Sequence, residues 1–397
     1  MATKTIKELL LQIQDDGLFE SYMIDPLAQF ETELGALLGA RLLPEQLHAE
    51  NSYKETQIRW KTRPALDNNR YSPTQMQTGG RLVSSFNVDY GYTDTQSAFD
   101  PKEYDDFMMY LNRGGDEQAI AAAINWAERT LLRPHTIKNE IQRWQALLLG
   151  TVERLTVDGQ MDPITYYQEP GHKVWVPGGT VGTPAGWHSP TYSILGDLIT
   201  GVEKLEDLGY QAVGMYATPA IYRLMRSNEE MVKKNSTVRV DNADQLVSTN
   251  VRMTEAGIAT VLLDEELPPL TTYNTGYESI NGFKRYMNVE DGYDYLLIAG
   301  STTRNWDMAI DYQGTTETDV SGFTDGAFDN VNFRINNVLG YHGIGRNAGQ
   351  AAPGRTVNTW VETRKPGGLG GESYQTGLPV IQDPQAYYVI RVQQPTA

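Results

Sequence analysis

Residues 55–63, Glu-Thr-Gln-Ile-Arg-Trp-Lys-Thr-Arg, alternate strictly between two faces, and residues 82–91, Leu-Val-Ser-Ser-Phe-Asn-Val-Asp-Tyr-Gly, do so again. In the first run Thr56, Ile58, Trp60 and Thr62 fall on one side, with Glu55, Gln57, Arg59, Lys61 and Arg63 on the other. In the second, Leu82, Phe86, Val88 and Tyr90 oppose Asn87 and Asp89. Successive side chains of a strand point to opposite faces, so a period of two reads as half-buried antiparallel strands. The connection PALDNNRYSPTQMQTGG (64–80) is polar, bounded by Pro and Gly, and too long for a tight hairpin. At roughly 3.3 Å per residue this ribbon reaches about 30 Å. A two-stranded ribbon alone is marginal in water, so its apolar face needs a cover. Either its own body supplies that cover, or another copy of the chain does.

Outward from the ribbon, the first fifty residues read as an arm. Ile6, Leu9, Leu10 and Ile13 repeat at helical spacing. Asp25-Pro26 starts a second helix through Phe30, Leu34, Leu37 and Leu38, which stops near Pro44. On the other side, Asp100-Pro101 caps a helix whose first turn carries Glu103, Asp105 and Asp106, suiting the positive helix N-terminus. A helix over 116–129 should break at Pro134. Thr136 should then open another to Leu149, with Ile137, Ile141, Trp144, Leu147 and Leu148 on one stripe. A strand follows at TVERLTVDG (151–159), then a Gly/Pro-rich connection over 160–188. Ser189-Pro190 caps an amphipathic helix from Ile194 to Leu208, closed by Gly209. Strands are expected at 212–217, 258–264, 293–300 and 386–392, with a helix opened by Thr218-Pro219. Helix, strand and helix in succession imply a sheet carrying helices, an α+β chain.

Composition excludes several classes. Hydrophobic residues at 40% and charged residues at 21% describe a folded chain. A net charge of −17 makes it a poor ligand for phosphate backbones, whose affinity comes from Lys and Arg. There is no cysteine, hence no disulfide, thiolate metal site or cysteine nucleophile. The five histidines lie outside helical ligand spacing, and no membrane span or signal peptide is visible. Gly343, Gly345 and Gly349 only loosely resemble a phosphate loop, and GGLGG (367–371) reads as a flexible joint. Asp319, Asp325 and Asp329 miss the EF-hand spacing. Paired carboxylates such as Glu265-Glu266 read as solvated. No catalytic residue, cofactor site or metal site is expected.

The order of these features resembles the tailed-bacteriophage major capsid protein of the lambda-type, capsid protein E family. That family has a helical arm, a long two-stranded loop, a long helix, a helix-covered sheet and a returning C-terminal strand. The stretch YSILGDLITGVEKLEDLGYQAVGMYATPAIYRLMRSNEEMVKK, with Tyr222-Arg223, resembles the family's axial-domain entry. LPVIQDPQAYYVIRV resembles its closing segment through Pro379, Asp383, Pro384, Tyr387 and Tyr388. The resemblance implies an arm at 1–50, an extended loop at 51–99 and a peripheral domain at 100–189. It further implies an axial domain at 190–354 and a C-terminal return to the peripheral domain at 355–397. It implies hexamers and pentamers in an icosahedral head that encloses double-stranded DNA without reading its sequence. Portal, scaffolding and decoration proteins would be partners, and the virion, assembled in the host cytoplasm, the location. Some members cross-link a loop lysine to a neighbour. Lys54 and Lys61 are available, but nothing marks a partner, and no cross-link is expected.

Inter-subunit contact is expected from Ile58, Arg59, Trp60, Lys61, Arg63, Arg81 and Phe86 on the loop. Asp100, Glu103, Asp105 and Asp106 at the helix start would form the acidic counterpart. Rival readings are an encapsulin-like compartment shell, an α+β hydrolase and a tail or baseplate protein.

Overall fold

The computed structural model describes residues 37–48, 52–61, 80–98, 100, 102–103, 105–106, 109, 122–123, 125–155, 161–235, 253–279, 282–301, 307–311, 339–347, 350, 353–362 and 368–396. The arm helix expected at 6–13, most of the second arm helix, Arg63 and the aspartates at 319, 325 and 329 lie outside these residues.

Helix α1 (Leu38–Leu42) ends before Pro44 and leads into β1 (Glu45–Leu47). The alternating runs form β2 (Ser52–Lys61) and β3 (Gly80–Asp89), paired antiparallel from Ser52↔Asp89 to Lys61↔Gly80. β3 continues through Tyr90 into β4 (Gly91–Ala98).

The long helix α2 runs as three consecutive segments, Glu128–Leu132, Arg133–Trp144 and Gln145–Leu149. Pro134 does not break it, contrary to the sequence expectation. Proline lacks an N–H and its ring crowds the carbonyl four residues back. Here the helix widens just before it, with the Arg133 N–H donating to the Glu128 carbonyl five residues back. The stripe expected on this helix is present: Trp144, Leu147 and Leu148 are buried, with Ile137 and Ile141 packed against the same core.

Strands β5 (Thr151–Leu155) and β6 (Met161–Thr165) pair, and β7 (Lys173–Val176) and the short pair β8 (Gly179–Thr180) and β9 (Thr183–Pro184) follow. The 160–188 segment is thus strand-rich rather than a bare connection. Helix α3 (Ile194–Asp207) is capped by Ser193, whose Oγ accepts from the Gly196 N–H at 3.1 Å, not by Ser189. It ends where Gly209 takes a left-handed φ of 81°. β10 (Ala212–Ala217), α4 (Pro219–Ser227) and α5 (Glu229–Asn235) come next.

The apolar run at 258–264 is not a strand but part of α6 (Glu255–Asp264). Thr254 caps it by accepting from the Gly257 N–H, and Gly257, Ile258, Val261 and Leu262 are buried at helical spacing. A short apolar run carries no decisive period, and the cap settles it.

The remaining strands are β11 (Leu270–Thr272), β12 (Gly276–Ser279), β13 (Gly282–Arg285), β14 (Tyr293–Gly300) and β15 (Asp307–Asp311). β16 (Gly340–Ile344), β17 (Thr356–Glu362), β18 (Gly368–Ile381) and β19 (Tyr387–Gln393) complete the chain. GGLGG is therefore no joint, since residues 368–371 belong to β18. Glycine there serves close packing: a Cβ at Gly370 would lie 2.7 Å from Cε2 of Trp360, and one at Gly371 would lie 2.6 Å from Cδ1 of Leu131.

Two five-stranded sheets organise the body. One runs β1-β16-β18-β17, with β4 also on β18; the other runs β11-β10-β14-β19-β7. Residues 340–344 join β18 rather than the sheet of 190–300, while β7 and β19 join β14 rather than β18. Of the C-terminal return, β17 and β18 lie in the first sheet and β19 in the second. Such long-range pairing leaves no local mark in sequence. Helix α3 lies close on the second sheet, where a Cβ at Gly201 would stand 2.8 Å from Ile298 Cδ1.

Candidate functional site

The ribbon is a three-stranded finger. β15 pairs with β2 on the edge away from β3, from Asp307↔Arg59 to Asp311↔Glu55. Among the described residues, none of these strands pairs with a strand of either large sheet. The expectation of a two-stranded loop is corrected by this third strand, which shields one backbone edge. Ile58, Arg59, Trp60 and Lys61 occupy the half of β2 far from the root, and Arg81 faces Trp60 in register. Phe86 pairs with Glu55 nearer the root. The basic positions thus collect toward the finger's distal end.

The acidic residues lie past the other end of the β3–Tyr90–β4 run. Asp100 Oδ1 accepts from the Glu103 N–H at 2.7 Å, and Glu103 Oε2 accepts from the Asp100 N–H at 3.0 Å. This reciprocal pair is a capping box. It gives both carboxylates a local structural task, while Asp105 and Asp106, and Asp94 on β4, are exposed.

A buried ionic joint, missed in the sequence reading, ties the finger's body together. Glu45 of β1 receives Arg143 of α2 at 3.1 Å and Arg355 at 2.9 Å, with Asn139 Nδ2 donating at 3.2 Å. Burial would raise the Glu45 carboxyl, but Arg355 and Arg143 outweigh it and hold it below its ordinary value. Arg143 also pairs with fully buried Glu140 at 3.3 Å. His342, in register with Glu45, is wholly buried. Burial, then Arg143 and Arg355, push it well below its ordinary value and keep it neutral. In sequence Glu140 and Arg143 are an i, i+3 pair among the other polar residues of their helix segment, which does not single them out.

A groove of about 390 Å³ runs between β4 and α2, lined by Tyr92, Asp94, His135, Lys138, Gln142 and Glu153 among others. Tyr92 is 56% exposed beside it. Among the described residues, no group of three His, Asp or Glu could hold a metal, and no helix is long and apolar enough to cross a membrane.

No protein-family model matches the chain, and no curated protein matches it. Solved structures do. A putative capsid protein of a prophage from Escherichia coli CFT073 superposes with a TM-score of 0.50 at 11% identity, covering 90% of this chain and 92% of that one. A phage-related protein from Bordetella bronchiseptica RB50 gives a TM-score of 0.45 at 12% identity, covering 89% and 91%. An encapsulin from Synechococcus elongatus PCC 7942 gives 0.36 at 10% identity, covering 90% and 89%. The first establishes the fold: the chain shares the α+β architecture of that protein.

Proposed function

We propose that this chain is the major capsid protein of a tailed bacteriophage, a non-catalytic subunit of the virion that closes into a shell around double-stranded DNA. One observation carries the reading: the fold of a prophage capsid protein spans nine-tenths of both chains. The finger supports it, since a sheet that shares no strand with the body is suited to reach another subunit. The basic distal end would meet exposed carboxylates such as Asp105 and Asp106 of a neighbour. Each exposed pair contributes only about 0.2–1 kcal/mol. Repeated over a closed symmetric assembly, such small terms add up. Hexamers and pentamers are the expected capsomers, with portal, scaffolding and decoration proteins as partners. The net charge of −17 keeps the wall from gripping the genome.

Negative-stain microscopy of the purified full chain, with light scattering, tests this. Closed particles of uniform diameter are expected. Tubes or rings would transfer the chain to the tail reading, and a stable monomer at high concentration would overturn the proposal.

A further inference from the structure

The finger leaves the body through two feet. β2 begins four residues after His48, and β3 ends next to Tyr90. Both flanking residues are buried, at 5% and 7% exposure. Their ring centroids lie 6.1 Å apart, and the His48 ring stacks on Tyr341 at 5.2 Å with planes 30° apart. Tyr341 is 1% exposed and packs with Tyr90, Leu378 and Val380. The His48 N–H also donates to the Ile344 carbonyl at 2.8 Å.

Gly343 completes the arrangement. It lies two residues after Tyr341, hence on the same face of β16. A Cβ there would collide with the Tyr90 hydroxyl and stand 2.8 Å from Cζ. Its absence lets the Tyr90 ring lie against the strand. β16 itself is held on both sides, by β1 and β18.

We propose that His48, Tyr90 and Tyr341, seated on Gly343, form a root clamp that fixes the direction in which the finger leaves the body. Pairing of β4 with β18 holds the chain only up to Gly91; among the described residues the finger's own strands pair with neither large sheet, so the packing around Tyr90 and His48 sets the direction beyond it. Leverage makes the root decisive. A strand of ten residues is about 33 Å long, so a turn of about 10° at its foot moves the tip by about 6 Å. The effect on assembly rests on the capsid reading; the clamp itself does not.

The absence of cysteine gives a clean measurement. Cysteines introduced at Ser85 in the finger and Lys138 in α2 of the full chain carry the only nitroxide labels, and their separation is read by double electron–electron resonance. The parent should give one narrow distance. His48→Leu and Gly343→Ala should each shift and broaden it while cooperative unfolding persists, and Tyr90→Phe, which keeps the ring, should leave the parent distribution unchanged. Should Gly343→Ala fail to fold, His48→Leu decides alone. A folded His48→Leu with the parent's distance overturns the clamp. A parent that behaves as expected here yet never forms particles would remove the capsid reading and leave the clamp standing.

Discussion

The backbone N–H of Gly39 donates to Oε1 of Glu140 at 2.8 Å, across 101 residues of sequence. The same buried carboxylate accepts from Trp144 Nε1 at 2.8 Å and from the Tyr273 hydroxyl at 3.1 Å, and pairs with Arg143. Four partners from three parts of the chain therefore depend on one side chain. A Cβ at Gly39 would stand 2.6 Å from that oxygen, which is why the amide can approach only as glycine.

Removing Glu140 should be severe. Glu140→Ala leaves a buried amide, indole and phenol without their acceptor and takes one carboxylate from Arg143. Breaking one side of a buried pair costs about 3–5 kcal/mol. Urea unfolding should show a loss of that size with a cooperative transition. A loss below about 1 kcal/mol, the scale of a single ordinary hydrogen bond, would show that the joint does not organise the core.

Acid should weaken the fold through buried histidines. His135 Nε2 lies 2.8 Å from Ser373 Oγ and Nδ1 lies 3.1 Å from Thr93 Oγ1. Burial, then the Arg355 charge, lower its pKa from 6.5 to about 4. Between those values the unfolded chain binds the proton that the folded chain refuses, so stability falls as pH drops from 6.5 toward 4. The contribution is at most about 3 kcal/mol. His342, also lowered, acts with the same sign. Urea midpoints measured across this range should decline, and less steeply in His135→Gln. An equal slope in the variant would remove His135 from the explanation.

The first sheet should resist any side chain at its central glycines. Gly370 faces Trp360 across the β17–β18 pair, and the indole occupies the space of the missing Cβ. Gly370→Ala should displace the ring and cost about 1–3 kcal/mol, as overpacking does. Difference spectra or tryptophan fluorescence would register the displaced ring, and unchanged spectra with unchanged stability would count against the packing role.

The legible parts of the fold were those with strong local periodicity. Thr56 to Thr62 and Leu82 to Tyr90 marked the finger strands, Ile194 to Leu208 marked α3, and Asp100 with Glu103 marked a helix start. Three features were not legible for identifiable reasons. Pro134 is read as a breaker unless the wider turn before it is known. Ile258 to Asp264 is too short to separate helix from strand by period. β15 is the third case: nothing in Asp307 to Asp311 says that it adds to β2, some 250 residues earlier. The ionic joint was hidden likewise, because Glu45, Arg143 and Arg355 are far apart in sequence and meet only in the folded chain.

Charge reversal at the finger's distal end tests assembly apart from folding. Arg59 and Lys61 lie in the half of β2 remote from the root, and Asp307 sits opposite Arg59 in register. Arg59→Glu would therefore place two acids across one pair of strands, a local penalty of about 0.2–1 kcal/mol that a folded body should tolerate. Under the proposed function, the same change would reverse an attraction toward a neighbouring acidic subunit, repeated at every contact of the shell. The Arg59→Glu, Lys61→Glu chain should thus keep its thermal transition within a few degrees and lose particles, with partial recovery at high salt, which screens exposed charges. Lys61→Glu alone leaves the Asp307–Arg59 pair in place and so separates the two effects. If sedimentation shows parent-like particles from the double variant, the basic end of the finger takes no part in docking and the contact must be sought elsewhere along β2 and β3.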